Sequence, residues 1–151
     1  MRHILFLDFD GVLHASGETR FARMPQFAAC IRAMPGVLIV VSSTWREMQG
    51  FRAMLDAFPP DVRERIVGAT PVLQRARYEL GGRQREIEAW LQTHNLRRDN
   101  ARWLAIDDTE MYFDRDCDFL LLLDGRKAFD AQASQAVLDW YAQGPSDQAS
   151  Q

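Results

Sequence analysis

The sequence predicts an α/β fold, a doubly wound parallel sheet with helices on both faces, and three observations carry that prediction. Apolar runs recur at 3–8, 37–42, 102–107 and 119–123, with a weaker one at 65–68. None alternates apolar with polar residues, which is the habit of strands covered on both sides. Between them lie segments with room for helices, at 24–34, 46–57, 83–94 and 130–142, so the elements follow the βα alternation of a parallel sheet. Three of the runs also stop abruptly in polar or acidic groups. In open α/β sheets the carboxyl ends of the strands are where ligands bind.

Taken in order, the first run, Ile4-Leu5-Phe6-Leu7, ends in Asp8-Phe9-Asp10-Gly11-Val12. Two carboxylates held close repel unless a cation lies between them or one stays protonated, so the pair favours a divalent metal or divided acid and base roles. Gly11 lets the chain turn away without crowding the pocket. His14 follows, expected on a flap rather than in the pocket itself.

The second run, Val37-Leu38-Ile39-Val40-Val41, breaks into Ser42-Ser43-Thr44-Trp45-Arg46, a hydroxyl cluster and a guanidinium suited to phosphate oxygens. Pro59-Pro60 ends the helix after it. Gly81-Gly82-Arg83-Gln84-Arg85 opens an amphipathic helix with Ile87, Trp90 and Leu91 at helical spacing. A cation in the first turn opposes the helix dipole, which points to an anion facing it. Trp103-Leu104-Ala105-Ile106 ends in Asp107-Asp108, and Phe119-Leu120-Leu121-Leu122-Leu123 is the last strand. Trp90, Trp103, Trp140 and Phe51 read as core. Three strands thus deliver polar groups to one edge, the convergence that a functional site requires.

Asp8-Phe9-Asp10-Gly11-Val12, Ser42 after a hydrophobic strand, a basic residue at a helix start and Asp107-Asp108 after another strand resemble the four-motif pattern of the haloacid dehalogenase (HAD) superfamily. More finely, Phe6-Leu7-Asp8-Phe9-Asp10-Gly11-Val12-Leu13-His14 with Ser42-Ser43-Thr44-Trp45-Arg46 and Gly68-Ala69-Thr70-Pro71-Val72-Leu73 is similar to the small capless domains of bacterial multi-activity RNA-repair proteins. The resemblance implies a HAD-like, Rossmann-like sheet and a Mg²⁺-dependent phosphohydrolase. Asp8 would attack phosphorus and form an aspartyl-phosphate, with Asp10 as general acid and then base. Mg²⁺ would be held by Asp8, the Asp10 carbonyl, Asp107 and Asp108. Ser42, with Ser43 as its rival, would bind a phosphoryl oxygen, and Gly11 and Arg46 would border the substrate.

The third motif departs from the family pattern, which has a lysine there, because the chain's single lysine, Lys127, lies beyond the fourth motif. Arg83 is favoured over Arg85 as its substitute, since arginine binds phosphate with a bidentate fork.

With 151 residues, 47% hydrophobic and 26% charged, the chain is expected to form one catalytic domain over 1–143, followed by a frayed tail at 144–151. A formal charge of −3 argues against a module that binds nucleic acid through bulk positive charge. No apolar stretch suits a membrane span, the first strand begins where a signal peptide would lie, and Cys30 and Cys117 lack metal or redox spacing. A reducing cytoplasm is expected.

About 28 residues separate Gly11 from the middle of the second strand, room for a flap and one helix but no cap. An open site suits a large phosphorylated substrate such as a polynucleotide end, with Arg20, Arg23, Arg75 and Arg77 near the opening. A small-molecule phosphatase closed by a partner subunit, a phosphate-binding module without turnover and a phosphotransferase are the alternatives. The sequence sets no oligomeric state.

Overall fold

The computed structural model describes residues 1–73 and 79–143. Arg75, Arg77 and the 144–151 tail lie outside the described residues. Five strands form one parallel sheet in the order β3-β2-β1-β4-β5: β1 (Arg2–Leu7), β2 (Leu38–Val41), β3 (Ile66–Ala69), β4 (Ala101–Asp107) and β5 (Leu120–Leu122). The α/β class and the parallel sheet are as expected, with strand ends within two residues of the predicted ones.

The absence of alternation in the strands has a direct cause. Side chains point to opposite faces with period two, and both faces are covered. Leu5 and Leu7 join one core with residues of α1 (Met24–Arg32) and α5 (Ala131–Ala142). Ile4 and Phe6 join another with Ile87, Trp90 and Leu91 of α4 (Gly82–Thr93). Trp90 and Trp103 are buried, and Trp140 and Phe51 pack against the core.

The segment expected as one helix at 46–57 is instead a series of short turns. Residues Thr44–Glu47 form a 3-10 turn, α2 spans Phe51–Met54, and a further 3-10 turn covers Leu55–Ala57. Gly50 sits between them at φ 81°, a left-handed conformation that a helix cannot pass through. Pro60 then starts α3 (Pro60–Arg63), because proline fits the first turn of a helix as well as it ends one. The connections at 8–23 and 42–65 hold turns and short helices, with no cap over the sheet edge.

Chain order explains where a site belongs. The chain runs outward from β1 to β3, then crosses back to lay β4 on the other side of β1. The crevice at such a reversal, at the carboxyl ends of the two strands, is the ligand position of this fold. β1 delivers Asp8 there and β4 delivers Asp107.

Phe9, fully buried between Asp8 and Asp10, is the pivot of this edge. Its ring lies 5.6 Å from Phe21, 5.7 Å from Trp45 and 5.9 Å from Phe58, centroid to centroid. Phe9→Ala should therefore cost about 3–5 kcal/mol of stability, measured by denaturant unfolding.

Candidate active site

Asp8, one residue past β1, and Asp107, the last residue of β4, are both buried at the sheet edge. Arg83, in the first turn of α4 and also buried, reaches between them: its Nη1 donates to Asp107 Oδ2 at 2.6 Å and lies 3.4 Å from Asp8 Oδ1. Its guanidinium also covers the ring of Tyr112, 4.6 Å from the centroid. Arg85 points elsewhere, donating to both oxygens of Asp114 at 2.9 and 2.8 Å. Of the two arginines, Arg83 is the one brought to the carboxylates.

Asp108 completes the acidic group. One oxygen from each of Asp8, Asp107 and Asp108 lies within 4.8 Å of the others. The Asp108 carboxylate rests in a cradle that side chains would fill. A Cβ on Gly11, at φ 76°, would come within 2.1 Å of Asp108 Oδ2, and one on Gly125 within 2.7 Å. Gly11 thus makes room for the acid as well as for the turn.

One guanidinium faces three carboxylates, and the acidities show the excess negative charge. Burial, reinforced by Asp107, pushes the Asp8 carboxyl well above the usual carboxylate range, and Arg83 pulls it back only in part. Burial raises Asp107 too, against the pull of Arg83. Burial opposes the charge of Arg83, yet Asp8 and Asp107 hold its guanidinium above the ordinary arginine value. Buried, mutually repelling oxygen donors of this kind fit a hard divalent cation such as Mg²⁺, which takes oxygen ligands and neutralises them.

Asp10 is placed differently. Its side chain is 60% exposed and is not one of the three carboxylates of the acidic group. His14 Nε2 lies 2.8 Å from Oδ1, and the indole N–H of Trp45 donates to Oδ2 at 2.6 Å. The Phe21 amide donates to His14 Nδ1 at 3.3 Å, which leaves Nε2 to carry the proton toward Asp10. His14, expected on a flap rather than in the pocket, instead lines the cleft beside Asp10 with its imidazole.

Ser42 and Ser43 are buried at the end of β2, hydrogen-bonded to β1 through Ser42 N and Leu7 O at 2.9 Å. Ser43 Oγ accepts from Trp45 N at 3.2 Å and caps the 3-10 turn. Arg46 lines a cavity of about 360 Å³ beside Arg83 and Tyr112. Its guanidinium donates to the carbonyls of Thr70 (2.9 Å), Ser43 (2.9 Å) and Pro71 (3.2 Å) and pairs with Glu86 Oε2 at 2.8 Å. Glu86 also accepts from Leu73 N at 2.9 Å. The Arg46–Glu86 pair therefore ties α4, and with it Arg83, to the ends of β2 and β3. Sequence reasoning did not find Glu86, Trp45 or Gly125 as site residues. Glu86 had one signal, its place one helical turn beyond Arg83.

A five-stranded parallel sheet ordered 3-2-1-4-5, with an aspartate pair after β1, hydroxyls after β2, a cation opening α4 and an aspartate pair ending β4, defines a HAD-like α/β domain, with no cap among the described residues. The chain matches, over residues 4–133, the family model described as the HAD domain in Swiss Army Knife RNA repair proteins, and it belongs to that family. No curated protein and no solved structure matches it significantly. Membership supports a HAD-type, phosphatase-like function. No described helix is long and apolar enough to cross a membrane.

The raised pKa of Asp8 has a consequence for stability. An acid whose pKa rises on folding stabilises the fold only while protonated, and that contribution is lost as pH climbs through the raised value. Asp8→Asn should therefore raise the Tm of metal-free protein at about pH 8, and the gain should shrink toward about pH 5, as read by thermal melts at both.

Proposed function

We propose that this chain is a Mg²⁺-dependent phosphomonoester phosphatase that works through an aspartyl-phosphate at Asp8, with residues 1–143 as its catalytic unit. The observation that carries the reading is the group of buried Asp8, Asp107 and Arg83 with half-buried Asp108 at the switch point of the sheet. Asp8, Asp107 and Asp108, with the Asp10 carbonyl, would hold the metal. When bound, Mg²⁺ supplies positive charge that lets an anionic nucleophile approach an anionic phosphate.

The protein's own groups divide the remaining work. An Asp8 oxygen attacks phosphorus and the bond to the leaving oxygen breaks, with Arg83 and Ser42 stabilising charge on the phosphoryl oxygens. We assign that contact to Ser42 because the Ser43 hydroxyl holds the turn. Arg46, held by several backbone carbonyls and by Glu86, positions α4 and borders the substrate cavity. Asp10 gives its proton to the leaving oxygen, then takes one from the water that cleaves the acyl phosphate. Its two hydrogen bonds, from His14 and Trp45, hold the carboxyl near the opening.

The uncapped edge and the RNA-repair context of the family support a phosphorylated polynucleotide end as substrate. An uncapped site cannot gain much by enclosing a small molecule, whereas a strand can add contacts outside the pocket.

The test is hydrolysis of a nitrophenyl phosphate with and without Mg²⁺. Asp8→Asn and chelation should each abolish turnover, Arg83→Ala should lower it by on the order of 10² with partial recovery in Arg83→Lys, and Arg85→Ala should be mild. Full activity in Asp8→Asn would overturn the mechanism.

A second measurement addresses Asp10. An alkyl leaving group needs a proton and a nitrophenolate does not, so Asp10→Asn should slow an alkyl phosphate more than the nitrophenyl ester. Trp45→Phe should show the same bias to a smaller degree. Equal losses on both esters would make Asp10 a structural residue only.

A further inference from the structure

Trp45 stands at the mouth of the site, its ring 5.7 Å from Phe9, 5.6 Å from His14 and 5.7 Å from Phe21. Its N–H is given to Asp10, and over its face lies the guanidinium of Arg20, with Cζ 4.9 Å from the ring centroid. Arg20 is exposed, and among the described residues no carboxylate forms an ion pair with it. Its neighbours in the opening differ. Arg23 donates to Glu18 at 3.0 Å, and Glu18 also accepts from Ala15 N at 2.9 Å. Stacking engages only the π face of a guanidinium and leaves its edge N–H groups free to meet an anion. Arg20 is thus a cation held on a rigid ring, one indole away from Asp10.

We propose that Arg20, backed by Trp45, binds the phosphodiester next to the terminal phosphomonoester of a polynucleotide substrate. This rests on the reading of Asp10 as the acid that protonates the leaving oxygen. That oxygen must approach Asp10, so the nucleoside that carries it lies beside Trp45 and its next phosphate lies toward Arg20. Asp10 also borders a cleft of about 580 Å³ whose walls include Glu18, Asp108, Asp124 and Arg126. Arg126 is engaged by Asp124 at 3.1 Å, whereas Arg20 has no ion-pair partner among the described residues. Either a 5′- or a 3′-phosphorylated end presents this pair of groups.

The test uses dinucleotides phosphorylated at the 5′ or the 3′ end, each with a natural linkage or a neutral methylphosphonate linkage. Values of kcat/KM are compared for wild type, Arg20→Ala, Arg20→Lys and, as a control, Arg97→Ala, an exposed residue paired with Asp99. In one or both series, wild type should favour the charged linkage by roughly tenfold, as a charge-assisted contact allows. Arg20→Ala should bring that ratio close to one, Arg20→Lys should restore part of it, and Arg97→Ala should leave it intact. A wild-type ratio near one in both series, or a ratio that survives Arg20→Ala, overturns the proposal. Failure of the phosphatase reading shows separately, as absent hydrolysis of the nitrophenyl ester. In that event binding of the same dinucleotides to the Asp8→Asn protein replaces turnover, and a Kd that ignores both the linkage charge and Arg20→Ala overturns the Arg20 site.

Discussion

The placing of the Arg83 guanidinium between Asp8 and Asp107 is the contact on which the site depends. It joins the ends of two adjacent strands to the first turn of a helix, and all three partners are buried. A buried charge is tolerated only when paired, and removing one partner leaves an uncompensated ion in a low-dielectric setting. The surroundings are built to keep the contact. Arg46 and Glu86 pin α4 to the ends of β2 and β3, Tyr112 lies under the guanidinium, and Gly11 and Gly125 leave space for Asp108. Three carboxylates against one arginine still leave negative charge uncompensated, which is why the group suits a divalent cation.

Two aspartates two residues apart are given opposite environments by that arrangement. Asp8 is buried among acids and a guanidinium; Asp10, beyond the buried Phe9 ring, is exposed and held by an imidazole and an indole. Groups of one type whose surroundings differ in this way take different chemical roles. In the reading proposed here Asp8 makes the bond to phosphorus and Asp10 moves the proton. In the same reading Arg83, which reaches both carboxylates from a helix start, takes the place of the family's lysine.

How much of this was legible in the sequence follows from the range of each interaction. The strands were legible because burial on both faces leaves runs such as Ile4-Leu5-Phe6-Leu7 without alternation. That Arg83 would face charged groups was legible because a cation at a helix start needs a reason, and it lies beside Asp8 and Asp107. The helix expected at 46–57 failed because a left-handed Gly50 and side chains that bind backbone, Ser43 and Arg46 among them, overrode the local pattern. Trp45, Glu86 and Gly125 were missed for one shared cause: their partners, Asp10, Arg46 and Asp108, are close in space but not in sequence. His14 is the intermediate case, four residues from Asp10 and so expected on the flap, with its contact to the carboxylate visible only in three dimensions.

The central claim, that the buried group makes Asp8 a nucleophile, is tested most directly by trapping. Enzyme quenched during turnover of a phosphomonoester with Mg²⁺ and treated with borohydride should have its acyl phosphate reduced, and peptide mass analysis should find homoserine at position 8 and at no other aspartate. Phosphate release without any reducible acyl phosphate, or with the label at Asp10 or Asp107, would contradict the account.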